Sequence, residues 1–345
     1  MTFTNLQSVF RCFILLALSG WQTTSASSNT SLPLPVHNIT RVDGIKFENL
    51  AVRSNGQILT TTSYPNASIY QVDPLGVLPT TLIYAAPNII SANGIVELEH
   101  DIFYVAVGST KLLPTLQLNA SSYAIIEVDV RNVSVFPNGS LTCPPTVKQI
   151  ASLPHAAQQN GIALPRPLSD NLLLADSLRS LTWKVDICNG TIGVALNDTT
   201  TKGSAPTGAA ATGVNGLKVH DGMMYYTSTG ANKLYKVPVD ELGIVSQVPT
   251  LVTTNLACDD LVIDHEGTAY VAGPLDVLLK VSPSSEQTII VGTINPNQSA
   301  LVGPTAARFG RLASDRWSLY ITTNGGLQET IPGTTGVSRI DLESR

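Results

Sequence analysis

The sequence predicts an all-β fold, a six-bladed β-propeller with about four strands per blade, closed by an N-terminal strand. Three observations predict it. Glycine (26 residues) and proline (21 residues) are spread along the 345-residue chain and punctuate short β-rich runs, which favours many turns over long helices. Charged residues make up 13% against 43% hydrophobic, a balance that excludes a coiled coil or charge-driven disorder and supplies a sizeable core. One sequence frame also recurs with a period near 45 residues, the spacing of propeller blades.

The frame is clearest at the triplet N-G-[IL], found at Asn93 (SANGIVEL), Asn160 (QQNGIALP) and Asn215 (GVNGLKVH). Each triplet opens an apolar run that ends in a further strand, as in FYVAVGS, NLLLADSLRSLTWKVD and MMYYTSTGANKLYKVPVD. The same frame without the triplet starts at Glu48, Asp260 and Thr305. Spacings between the six anchors are 45, 67, 55, 45 and 45 residues. The long spacings mark insertions, the first holding Asn119, Asn132, Asn138 and Cys143, the second Cys188, Asn189 and Asn197. The segment 36–46 precedes the first anchor and is expected to add a strand to the last blade, removing two exposed edges. A β-sandwich or a two-domain β protein would not produce so regular a register.

Ahead of the first blade, Arg11 is followed by the apolar run Cys12 to Trp21 and then a polar stretch ending in Thr24-Ser25-Ala26. Ten apolar residues are too short to span a bilayer, and the small residues suit cleavage after Ala26. Residues 1–26 are therefore expected to be a signal peptide and 27–345 a single propeller domain. This places the protein in the secretory pathway, either secreted or in a vacuolar or vesicular lumen. Sequons agree: N-x-[ST] occurs at Asn29, Asn38, Asn66, Asn119, Asn132, Asn138, Asn189, Asn197 and Asn297, each an expected surface glycosylation site. Beyond Cys12, the cysteines are Cys143, Cys188 and Cys258. In an oxidising compartment a Cys143–Cys188 disulfide is expected, with Cys258 an unpaired thiol in an apolar setting.

The repeat carries a chemical consequence. The innermost strand of a blade lines the central channel, so residues at its start converge on one rim. Those residues are Glu48, Asn93, Asn160, Asn215, Asp260 and Thr305, all polar in an apolar chain. Six polar groups buried around one axis need water, a cation or a ligand. The bland reading is that Asn before Gly shapes a turn, which leaves Glu48, Asp260 and Thr305 unexplained. A second polar ring is expected where the second strands end, at Ser63, Tyr64, Ser109, Asp176, Ser177, Thr227, Ser228 and Thr323, with Tyr64 and Asp176 the candidate contacts. Other chemistry is discounted: there is no G-x-S-x-G, Walker loop, G-x-G-x-x-G after a strand or H-E-x-x-H. The five histidines lack zinc spacing; His155 reads equally as a mouth residue and as an exposed loop histidine. A net charge of −5 without any basic run excludes nucleic-acid binding through phosphate neutralisation.

E-N-L-A-V at Glu48, Q-N-G-I-A-L at Asn160, V-N-G-L-K-V at Asn215 and D-D-L-V-I-D around Asp260 resemble the regucalcin/gluconolactonase superfamily of six-bladed propellers. The resemblance implies a divalent, calcium-like cation held by Glu48, Asn160, Asn215 and Asp260, oxygen donors that suit a hard metal, and polarising a lactone. The superfamily's E-G-P-x-W start reads here as E-N-L-A-V. Two longer stretches, F-E-N-L-A-V-R-x-N-G at Phe47–Gly56 and G-P-T-A-A-R-F-G with L-Y-I-T-T-N-G-G within Gly303–Gly326, are similar to a group of secreted fungal propellers. That group includes hetero-Diels–Alderases of tropolonic sesquiterpenoid biosynthesis, which join a tropolone-derived ortho-quinone methide to a humulene-type alkene and form a dihydropyran ring.

Three readings of function stand side by side. In the first, the protein is a secreted cyclisation enzyme of secondary metabolism. It needs no cofactor and takes apolar substrates of terpene and tropolone type, with no nucleic-acid or membrane partner, as a monomer or weak homodimer. Glu48, Asp260 and Asn160 would then be catalytic, and Asn93, Asn215, Thr305, Tyr64 and Asp176 substrate-binding. A pericyclic step needs only two reactants held in a near-attack geometry and a polarised diene. In the second reading the protein is a metal-dependent lactonase-type hydrolase using calcium or another divalent cation. The third is a non-catalytic small-molecule-binding propeller.

Overall fold

The computed structural model describes residues 32–111, 117–203, 212–293, 300–326 and 330–342. The expected signal peptide and the sequons at Asn29 and Asn297 lie outside the described residues. Six four-stranded antiparallel sheets follow one another around a common axis. Blade 1 comprises Lys46–Val52, Ile58–Tyr64, Ser68–Val72 and Thr81–Ala85, from the axis outward. Blade 2 comprises Ser91–Glu99, Ile102–Gly108, Ala124–Asp129 and Thr146–Ser152. Blade 3 is built from Gln159–Ala163, Asn171–Asp176, Leu181–Asp186 and Ile192–Leu196. Blade 4 is built from Val214–His220, Met223–Ser228, Lys233–Pro238 and Thr250–Thr254. Blade 5 contains Leu261–Ile263, Ala269–Gly273, Val277–Val281 and Gln287–Gly292.

Blade 6 joins the two ends of the chain. Its inner strands are Pro304–Phe309, Ser318–Thr323 and Gly336–Asp341, and its outermost strand is His37–Arg41. The pairing runs antiparallel from His37 opposite Arg339 to Arg41 opposite Gly336. The 36–46 segment thus closes the ring as the sequence predicts, and an edge that would invite pairing with another chain is covered. No helix among the described residues is long and apolar enough to cross a membrane.

Strand period explains the core. Ile102–Gly108 is buried along its whole length, as expected of a strand covered on both faces. Alternation sends Phe103, Val105 and Val107 into the interface with blade 1 and Ile102, Tyr104 and Ala106 into that with blade 3. The same division gives six apolar clusters, one between each pair of neighbouring blades. The outermost strand Thr146–Ser152 has one buried residue, Ala151, because its outer face meets solvent.

The first long spacing falls inside blade 2. It contains a two-residue hairpin pairing Thr110–Lys111 with Gln117–Leu118, and a loop between the third and fourth strands. That loop is anchored by Arg53, whose buried guanidinium makes a two-pronged pair with Asp101 at 2.9 and 2.7 Å and donates to Val130 O at 3.1 Å. The expected Cys143–Cys188 disulfide is not formed; all three described cysteines are free thiols. Each of the two is satisfied in its own blade: Cys143 Sγ donates to Asn132 O at 3.2 Å, and Cys188 sits in a turn capped by Asp186. Cys258 is buried, as expected, in the core between blades 4 and 5. The seven described sequon asparagines, at 38, 66, 119, 132, 138, 189 and 197, are all exposed.

Candidate functional site

The N-G-[IL] triplets do not form turns. They lie inside the innermost strands, and their glycines are required by close approach at the axis. A Cβ on Gly161 would stand 2.6 Å from Asn215 O, and one on Gly216 would stand 2.6 Å from the Asp260 Cα. A Cβ on Gly94 would collide with Asn160 O. Glycine at this level lets adjacent inner strands pack backbone to backbone.

Registering the blades on the apolar residue that closes the triplet aligns Leu50, Ile95, Ile162, Leu217 and Leu261. The rim positions are then Glu48, Asn93, Asn160, Asn215 and Asp259, while Asn49 and Asp260 occupy the glycine level. Hydrogen bonds support the register. Each of three second-strand hydroxyls reaches the carbonyl of the rim residue in the next blade: Thr61 to Asn93 O at 2.6 Å, Thr227 to Asp259 O at 2.7 Å and Thr322 to Glu48 O at 3.3 Å. Asp260 was the expected rim acid; the structure places it one residue deeper and puts Asp259 in its place. Two consecutive aspartates hid the slip.

The rim is short of partners. Asn93 Oδ1, Asn215 Oδ1 and Asp259 Oδ1 are buried without a hydrogen bond among the described residues. The amide nitrogens of the two asparagines are used for positioning: Asn215 Nδ2 donates to Thr229 Oγ1 at 2.9 Å, and Asn93 Nδ2 to Gln159 O. Asn160 is buried, with its Nδ2 3.4 Å from Ser177 Oγ. Leaving buried acceptors unpaired costs about 1–3 kcal/mol each, so a ring of them marks a place built for something that donates or carries positive charge.

The two rim acids are electrostatically linked. Burial pushes Glu48 up to about 7; the charge of Asp260 adds to this, while a hydrogen bond from Ser63 and the charge of Lys46 oppose it. Asp259 is raised well above the usual aspartate range, first by burial and then by the charges of Glu48 and Asp260, with Asn215 opposing. Near neutral pH this pair holds at least one proton, the expected outcome when two carboxyls share a desolvated site.

Asp260 behaves in the opposite way. Burial would raise it too, but Lys218 and Arg308 outweigh that and hold it far below the usual carboxylate range. Lys218 Nζ lies 3.1 Å from Oδ1 and Arg308 2.9 Å from Oδ2. Asn49 Nδ2 donates to Oδ2 at 2.9 Å, and the Leu261 N–H to Oδ1 at 2.8 Å. The carboxylate, saturated by donors from blades 1, 4, 5 and 6, forms the floor of the rim site.

Two other expected contacts also belong to the scaffold. Asp176 is fully buried and accepts from the N–H groups of Ala157, Gln158 and Arg179 and from Trp183 Nε1. It shapes the approach to blade 3 and has no capacity to spare for a substrate. Thr305 is buried against Thr322 Oγ1 at 2.9 Å, and its carbonyl accepts the Asp260 N–H at 3.0 Å. The second ring is likewise pinned to backbone, with Ser177 donating to Val214 O and Thr323 to Thr334 O. Tyr64 and His155 are exposed. Sequence reasoning missed Asp259, Asn49, Lys218 and Arg308. Alignment on the buried leucine or isoleucine of the first five inner strands would have recovered Asp259; no local signal marks the two cations.

No protein-family model matches the chain. It is similar to a protein of Phoma sp. described as "Putative hetero-Diels-Alderase", 27% identical over 327 residues and covering 88% of this chain and 90% of the relative. A protein of Sarocladium schorii described as "Putative hetero-Diels-Alderase asR5" is 27% identical over 341 residues, 86% of this chain and 80% of the relative. Among solved structures, a calcium-binding protein, regucalcin, from Agrobacterium tumefaciens superposes with a TM-score of 0.60 at 13% identity, over 92% of this chain and 98% of that one. The chain is a six-bladed propeller of regucalcin-like architecture whose sequence resembles hetero-Diels-Alderases over most of its length.

Proposed function

We propose that the protein is a cyclisation enzyme of hetero-Diels–Alder type and that the rim between Glu48 and Asp259 is where its reactants meet. The observation that carries this reading is the pair of partly buried carboxyls, Glu48 and Asp259, set at one rim among unpartnered buried amide oxygens; the two similar sequences supply the reaction class. A neutral carboxylic acid donates a hydrogen bond to an oxygen of the heterodiene and withdraws electron density from it. Such a donor, preorganised in a dry site, stabilises charge that develops in the transition state. No nucleophile is needed, because the step is governed by how the two reactants are held.

The finer reading takes a tropolone-derived ortho-quinone methide as the heterodiene and a humulene-type alkene as its partner. Loss of water from a hydroxymethyl tropolone gives the quinone methide: one rim acid protonates the departing hydroxyl, while the other, as carboxylate, accepts the ring hydroxyl proton. The C=C–C=O unit then adds across the alkene, forming one C–C and one C–O bond and closing the dihydropyran. Product should form in single handedness from these two compounds and persist in the presence of a chelator. From the hydroxymethyl tropolone, Asp259→Ala should slow product formation roughly 100-fold, the low end for a lost general acid, and Glu48→Gln, which cannot accept the ring proton, should slow it as well; from the preformed quinone methide Glu48→Gln keeps a donor and much of the rate. Racemic product at the uncatalysed rate would end the proposal.

A second reading is favoured by the same unpartnered oxygens. The four-ligand set expected from the sequence does not fit, because Asp260 is consumed by Lys218 and Arg308. With Asp259 in its place, Glu48, Asn215 and Asp259 present oxygen donors of the kind a hard divalent cation takes. A bound calcium ion would supply Lewis-acid polarisation of a lactone carbonyl, and these residues would orient it. Chelator-sensitive lactone hydrolysis, abolished by Glu48→Gln, distinguishes this reading from the first. We further read the chain as secreted and glycosylated, supported by the seven exposed sequons; deglycosylation that leaves the mass unchanged would refute this.

A further inference from the structure

The far end of the channel holds a cavity lined by residues of all six blades. Below the Asp260 floor, the later halves of the inner strands enclose a cavity of about 290 Å³. Its walls are largely apolar, with Val52, Ile95, Ile162, Val219, Val262 and Phe309 among them. Into these walls project Lys218, Arg308 and Arg311, with Glu97 as the lining acid. Counting Asp260 in the floor, three cations face two carboxylates, so the cavity carries one uncompensated positive charge.

Two of these cations, Arg308 and Arg311, also have donors to spare. Lys218 Nζ donates to Leu217 O at 2.8 Å and to the two Asp260 oxygens at 3.1 and 3.2 Å, which engages its three hydrogens and leaves its charge facing the cavity. Arg308 commits both terminal nitrogens, to Ala307 O and Leu261 O and to Asn49 Oδ1 and Asp260 Oδ2; its Nε has no partner among the described residues. Arg311 pairs through one nitrogen with Glu97 Oε2 and Val52 O and is half exposed at the opening, its other nitrogens uncommitted. A closed structural plug would carry neither surplus charge nor surplus donors, because a buried cation without a counter-charge is costly.

We propose that this cavity binds a small organic monoanion, a carboxylate on a compact apolar body, separately from the rim site. The carboxylate would accept from Arg308 Nε and Arg311 beside the charge of Lys218, while the body lies against the aliphatic and phenyl walls. The volume falls at the lower end of ligand sites, roughly 300–1,000 Å³, which restricts the body to the size of a medium-chain acyl group or a single ring system. The Asp260 floor separates it from the rim, so occupancy of one end does not exclude occupancy of the other.

Octanoate, 1-octanol and octylammonium, which share one tail and differ in charge, test this on the intact protein by titration calorimetry. Octanoate should bind with one site per chain and at least about tenfold more tightly than octanol, the equivalent of one charge-assisted hydrogen bond; octylammonium should not bind. Lys218→Met and Arg311→Gln should each weaken octanoate by about tenfold or more on the same scale. Arg311 lies at the opening, so its variant keeps the test decisive if Lys218→Met fails to fold. Equal affinity for octanoate and octanol, unchanged affinity in Arg311→Gln, absence of binding, or loss of octanoate binding in Glu48→Gln would each overturn the proposal.

Discussion

Asp259 and Asp260 are neighbours in the chain and opposites in chemistry, and they stand for the two levels of the channel. Both are withdrawn from water, which by itself favours the protonated form of each. At the rim, Asp259 meets another carboxyl, Glu48, and no cation, so burial and repulsion act together. One residue deeper, Asp260 meets Lys218 and Arg308, and attraction overcomes the same burial. The difference teaches that burial alone does not decide the state of a carboxyl; the strand pleat, by choosing which neighbours each side chain faces, does. It also separates two kinds of polar cluster. The Asp260 carboxylate is saturated by donors that tie the blades together, whereas the rim is left unsaturated and available for chemistry.

The largest effect should come from breaking the saturated level. Asp260→Asn leaves Lys218 and Arg308 buried without their counter-charge and should cost about 3–5 kcal/mol at neutral pH, read by urea unfolding. Because the folded carboxyl lies below its ordinary value near 3.8, its contribution is complete above that value and is lost as pH falls through the folded one. The gap between wild type and variant should therefore close below about pH 3.8. A gap under about 1 kcal/mol at pH 7 would mean that the cluster is a surface-like pair.

An intermediate effect, opposite in sign, is expected at the rim. Glu48 is raised to about 7 from an ordinary value near 4.5, so the folded state holds a proton that the unfolded chain releases in that window. Its contribution to stability is complete below about pH 4.5 and declines as pH rises to 7, by on the order of 2–3 kcal/mol. Glu48→Gln should flatten this decline. A wild-type curve already flat from pH 4.5 to 7, relative to the variant, would place a cation or a paired base beside Glu48.

The smallest effect sharpens the contrast between the neighbours. Asp259→Asn replaces a carboxyl whose neutral form is favoured by burial and by the charges of Glu48 and Asp260 with a neutral group of the same shape, and stability at pH 7 should change by less than about 1 kcal/mol. Side by side, Asp260→Asn and Asp259→Asn should therefore differ by several kcal/mol although the substitutions are chemically identical and adjacent. Equal costs would show that both aspartates belong to one ion cluster.

Much of this molecule is legible in its sequence. The repeat of N-G-[IL] and its variants identifies the six inner strands, because each must satisfy the same close approach at the axis, and only glycine, or a residue whose side chain fits across it, is tolerated there. The unpaired segment 36–46 signals the closing strand, since a ring cannot leave an edge open without cost. The rim residues Glu48, Asn93, Asn160 and Asn215 follow from the same register. Asp176 misled because its polarity, read as a contact, serves four local donors, and the cysteine pair misled because proximity in sequence context is not proximity of sulfur atoms.

The chain by itself determined that polar groups would converge on one axis, since strand period and blade period are local properties written along it. Only the tertiary structure decided which aspartate stays ionised, because that depends on Lys218 and Arg308, cations from two other blades that no local pattern connects to Asp260. The same holds for the lower cavity. Its walls and its surplus charge exist only where six separated strands are brought side by side, and charge balance in a desolvated space is a property of that assembly rather than of any one segment.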